Sequence, residues 1–85
     1  MKEFSYRIKD LLGIHARPAG LFVKKMQEYA SVVTITRGTD ICDGKKLLAL
    51  MRMRVRHGET ITIKAAGLDE EAIIEAAKVF LSGNL

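Results

Sequence analysis

The spacing of apolar and polar residues changes several times along the chain, and each change predicts a new element. Phe4, Tyr6 and Ile8 alternate with Ser5, Arg7 and Lys9, the period of a half-buried strand. A glycine-marked connection, DLLGI, follows. Then Ala16, Ala19, Phe22, Val23, Met26, Tyr29 and Ala30 fall at helical spacing, with Lys24, Lys25, Gln27 and Glu28 on the other face. Pro18 suits a first helical turn, where a missing N–H costs nothing. The β-branched run VVTITR (32–37) predicts a strand, GTD a turn and ICD a short second strand. KKLLALM (45–51) predicts a helix of about two turns. After RHGE, the run TITIKAA directs Ile61, Ile63 and Ala65 to one side of a strand. A final helix begins at GLDEE, with Asp69 as N-cap and Glu70 and Glu71 in the favoured first turn. Its buried stripe is Ile73, Ala76, Ala77 and Phe80, and Gly83 marks its end.

The order β-α-β-β-α-β-α implies an α+β fold. We expect an open-faced sandwich, with three helices on one face of a four-stranded, mostly antiparallel sheet. Eighty-five residues suit a single domain spanning 1–85. Such a chain buries only about 60–65% of its unfolded surface, so the core must be thin. Its 48% apolar and 28% charged residues are those of a globular protein, not a disordered one. No apolar run is long enough to span a bilayer, and the first residues, MKEFSYR, lack a signal-peptide core. The lone Cys42 cannot form an internal disulfide, which fits a reducing cytoplasm.

The net charge of +4 is concentrated in Lys45, Lys46, Arg52, Arg54 and Arg56. A cluster of this kind suits acidic partners, although a solvated face has the same composition. A nucleic-acid partner is not expected: there are five aromatic residues in all, and Phe4 and Tyr6 fall within the first strand. Base stacking needs aromatic side chains on the surface.

The candidate chemistry lies in GIHARPAG (13–20). His15 precedes the first helical turn, whose leading N–H groups have no partner within the helix. The free donors there belong to Ala16 and Arg17, since Pro18 has none. Together with the macrodipole they favour an anion. Arg17 adds a guanidinium that can bind phosphate oxygens in pairs. The same field disfavours imidazolium and keeps a ring lone pair available for attack. Pro18 fixes one backbone dihedral and braces the turn. A histidine in this position also serves as an ordinary surface or capping residue. A metal site is not expected, because His57 and Cys42 are the only other soft ligands and neither is near in sequence. No serine or cysteine motif of the nucleophile-elbow kind occurs.

GIHARPA resembles the active-site signature of HPr, the histidine-containing phosphocarrier family of the bacterial sugar phosphotransferase system. The length, the element order, KKLLALM and GETITIKAAG extend the resemblance over essentially the whole chain. It implies a phosphoryl carrier, not an enzyme with turnover of its own, and no cofactor. His15 would accept a phosphoryl group on Nδ1 from enzyme I and pass it to an EIIA-type domain, with Arg17 as companion cation. The amides of Ala16 and Arg17 would bind the phosphate. Gly20 and Lys24, with Leu47, Leu48 and Met51 of the second helix, would form the docking face. Its partners would be met transiently, and a cytoplasmic monomer is expected.

Three features, at four positions, depart from the family pattern. Lys46 occupies the place of a regulatory serine, so that phosphorylation switch is expected to be absent. Arg52 and Arg54 stand where small residues, including a glycine, are usual, and a left-handed Arg54 would be strained. Leu12 replaces a common polar residue. The departures bear on partner choice, and motivate an alternative: a regulatory paralogue that signals by binding transcription factors or enzymes.

Overall fold

The computed structural model describes Met1–Leu85. Seven elements occur in the expected order: β1 (Lys2–Arg7), α1 (Ala16–Met26), β2 (Val32–Arg37), β3 (Asp40–Asp43), α2 (Leu47–Arg52), β4 (Thr60–Ala66) and α3 (Glu70–Asn84). The sheet order is β1-β4-β2-β3, and all three pairings are antiparallel. One register row crosses every strand: Phe4 opposes Ile63, Ile63 opposes Ile35, and Ile35 opposes Cys42. The next row, Ser5, Thr62, Thr36 and Ile41, lies on the other face because the side-chain period is two.

The first row and its neighbours supply the sheet side of one core, with Val33, Ile61 and Ala65 fully buried. Phe22, Val23 and Met26 of α1 meet Ile73, Ala77 and Leu81 of α3 in the same core. Phe22 and Phe80 touch edge to face, 5.6 Å apart. Leu50 anchors α2 in it. Phe80 and Ala76 are only half-buried at its margin, while Ile74, which lay outside the expected stripe, is buried.

Three expected features differ, each for a tertiary reason. Helix α1 stops at Met26 and leaves Tyr29 half-buried and Ala30 exposed. Beyond its end, the Lys45 ammonium donates to the Tyr29 carbonyl at 2.6 Å, and the Asp69 carboxylate accepts from the Ala30 and Ser31 amides at 2.8 Å. Asp69 therefore occupies the N-cap position of α3, yet its side chain serves the start of β2 instead of its own helix. The Ser31 hydroxyl and those two amides hold its carboxyl below the usual range. Gly83 does not end α3: the helix continues to Asn84, because the following Leu85 is buried and its oxygen accepts from the Lys9 and Asp10 amides.

Candidate functional site

The bonds from Lys9 and Asp10 to Leu85 fix the root of the loop that carries His15. From there the loop folds on itself. The Asp10 carbonyl accepts from Gly13 N–H at 2.9 Å, and its carboxylate accepts from Leu12 N–H at 2.8 Å. Ile14 N–H donates to the Val55 carbonyl at 3.0 Å, tying the loop to the turn after α2. Gly13 is required there. Its φ is +68°, and a Cβ would lie 2.3 Å from the Val55 oxygen.

His15 is the N-cap of α1, with extended backbone and no capping bond from its ring. The ring points instead to Asp10, with Nε2 at 3.2 Å from Oδ2. The Leu12 amide, then the His15 ring, hold the Asp10 carboxyl below its usual range. An ionised carboxylate only accepts, so Nε2 is the donor and a neutral ring carries its lone pair on Nδ1. The His15 side chain is 37% exposed, open enough for a second protein to reach it. Asp10 is the residue beside His15 that sequence reasoning missed. Its signal was present, as the only carboxylate within five residues of His15.

The first bond of the helix runs from Ala19 N–H to the His15 carbonyl at 3.0 Å. The Ala16 and Arg17 amides find no acceptor in the chain and remain free donors at the helix start. Arg17 is exposed and makes no ion pair, while Pro18 is buried in the first turn. His15, Ala16, Arg17 and Pro18 are thus brought together. Gly20 and Lys24 lie further along α1, half-buried and exposed respectively.

Helix α2 packs on α1. Its Leu48 is 71% exposed and Leu47 39%, whereas Met51 packs against the core. Leu11 and Leu12 add exposed apolar surface in the His15 loop itself. Lys46 is the exposed N-cap of α2, without a side-chain bond. Arg54 does adopt the left-handed conformation, with φ +50°. No three His, Cys, Asp or Glu side chains cluster as a metal site, and no helix is long and apolar enough to cross a membrane.

This geometry presents a ring nitrogen turned away from Asp10, two free amides and a cation at one helix end. A family model described as the PTS HPr component phosphorylation site matches residues 2–82. The chain belongs to the HPr family. An HPr phosphocarrier protein from Mycoplasma genitalium is 38% identical over 85 residues, covering 99% of this chain and 97% of its own. An HPr-like protein Crh from Halalkalibacterium halodurans is 32% identical over 81 residues, covering 95% and 96%. The solved structure of a mycoplasma histidine-containing phosphocarrier protein superposes with a TM-score of 0.94 at 33% identity, covering 96% of this chain and 93% of that one. HPr proteins are phosphocarriers of the phosphotransferase system and not enzymes.

Proposed function

We propose that this chain, as one phosphocarrier domain, takes a phosphoryl group from phospho-enzyme I onto Nδ1 of His15 and delivers it to EIIA-type domains. The observation that carries this reading is the Asp10–His15 contact, because it leaves Nδ1 with the lone pair. In the transfer, that lone pair forms the new N–P bond as the donor's bond to phosphorus breaks and the donor keeps its electron pair. No proton need leave the ring beforehand. The Ala16 and Arg17 amides and the Arg17 guanidinium would stabilise the oxygens in flight and in the product. Return transfer to an acceptor is the same step reversed.

Leu47, Leu48 and Met51, with Gly20 and Lys24, are the proposed docking residues, and contact with each partner is brief. A monomer in the cytoplasm suits this relay, and the unpaired Cys42 is in keeping with reducing surroundings. Enzyme I with phosphoenolpyruvate is expected to give an acid-labile adduct with a phosphohistidine signal in phosphorus NMR. His15→Ala should abolish it; an undiminished adduct in that variant overturns the assignment.

The alternative is a regulatory paralogue. It is favoured by Lys46 and by Arg52, Arg54 and Arg56 at and beyond the end of α2, which change the charge of the chain near the site. Failure to restore sugar uptake in a carrier-deficient strain, despite normal phosphorylation, would select this reading. Full rescue would exclude it.

A further inference from the structure

The turn after α2 forms one wall of an open cleft of about 350 Å³ that the phosphocarrier reading does not use. Arg37, Arg52, Met53, Arg54, Arg56 and Glu59 line it. Four of these six side chains are guanidinium groups, and they are not equivalent. Arg37 is already satisfied: it donates to Glu59 at 3.2 Å and to Asp40 at 2.9 Å. Glu59 also accepts the backbone N–H of Arg56 at 2.7 Å, so its carboxylate is committed to holding the turn. The side chains of Arg52, Arg54 and Arg56 have no carboxylate partner. Three guanidinium groups without an ion-pair partner of their own therefore line one concave surface, beside a single carboxylate that is already engaged.

The backbone supplies an independent observation. Arg54 sits just past the C-terminus of α2 with φ +50°, a position where glycine is relaxed and a side chain is strained. Strain of this kind persists at functional sites. The Arg54 side chain lines the same cleft as those of Arg52 and Arg56.

We infer that this cleft binds a compact, non-aromatic anion carrying two phosphate groups. Each phosphate bears roughly −1.5 to −2 at neutral pH, so two of them match the three unpartnered arginines. Planar guanidinium forks bind such oxygens in pairs. Met53 is the only apolar residue in the lining and no aromatic side chain contributes. There is accordingly no platform on which a nucleobase could stack, and no apolar wall for a lipid chain. The site stands whether or not His15 is phosphorylated. Arg56, which lines the cleft, is also a residue whose backbone Gly13 abuts, so the cleft borders the segment that carries the His15 loop.

Titrating the full ¹⁵N-labelled chain with inorganic pyrophosphate tests the site. Saturable amide shifts centred on Arg37 and residues 52–57 are expected, with inorganic phosphate binding about tenfold more weakly. Affinity for pyrophosphate should fall at least about tenfold in the Arg52→Gln/Arg56→Gln double variant. Arg54→Gly, which relieves backbone strain and so should fold, is expected to weaken binding as well. Shifts that never saturate, that centre on Ala16 and Arg17, or that persist unchanged in both variants overturn the proposal. Tighter binding of a hexaglutamate peptide or of single-stranded RNA at the same residues also overturns it.

Discussion

The His15 loop and the arginine turn after α2 touch through the Ile14–Val55 hydrogen bond, yet they are built on opposite principles. In the loop, both oxygens of the Asp10 carboxylate are used, Gly13 takes up the left-handed backbone, and the ring is held by its far nitrogen. In the turn, an arginine takes the left-handed backbone and three guanidinium groups lack partners. The first arrangement is preorganised at little backbone cost. The second retains strain and uncompensated charge. A site that must orient one nitrogen benefits from the former, whereas a surface that must attract an anion tolerates the latter.

The sharpest way to break this comparison is Gly13→Ala. The new methyl would overlap the Val55 carbonyl at a backbone angle alanine disfavours. It should cost about 3 kcal/mol, read as a lower midpoint in urea, and it should separate loop from turn and slow phosphorylation of His15.

Asp10→Ala tests the loop alone. We expect about a tenfold slower phosphoryl transfer with the fold retained. As Asp10 is a positioning residue, nitrogen NMR of the ring should show a rise in the Nδ1–H tautomer. An unchanged tautomer ratio would remove Asp10 from the mechanism.

Arg54→Gly probes the turn in the opposite direction. Replacing a strained residue should raise stability by about 0.5–1 kcal/mol, the αL gain exceeding glycine's larger unfolded-state entropy. A lower denaturation midpoint would mean that the arginine is held by contacts that outweigh its backbone.

The smallest effect is a pH dependence confined to the loop. The Asp10 pKa is depressed from its ordinary 3.8, so the stability it contributes is present above that value. It is lost as the pH falls through the depressed folded value. The Leu12 amide shift should titrate with a midpoint below 3.8 while amides of the arginine turn stay still.

The fold was largely readable from periodicity because each strand buries one face and each helix one stripe. The alternation at 4–8 and 60–66 and the helical spacing from Ala16 to Met26 leave one economical arrangement. The ends of elements were less readable. Lys45 and Asp69 intercept the chain after Met26, and Leu85 draws α3 past Gly83; these are contacts between residues far apart in sequence, invisible to a local pattern. The helix-start group from His15 to Pro18 was legible because its parts are sequence neighbours. The role of Asp10 was not, since a carboxylate five residues away reaches the ring only when the loop doubles back.

By itself, then, the sequence determined the seven elements, the side that β1, α1 and β4 turn to the core, and a histidine at a helix start beside free amides and an arginine. Those depend on local dihedral preference and on side-chain period. Only the tertiary structure decided which ring nitrogen is held, which glycine the loop cannot replace, and that Arg37 of β2 shares a cleft with the arginines at and beyond the end of α2. Such properties come from packing across the sheet and between loops, where a carbonyl, a carboxylate or a guanidinium meets a partner that no spacing along the chain could name.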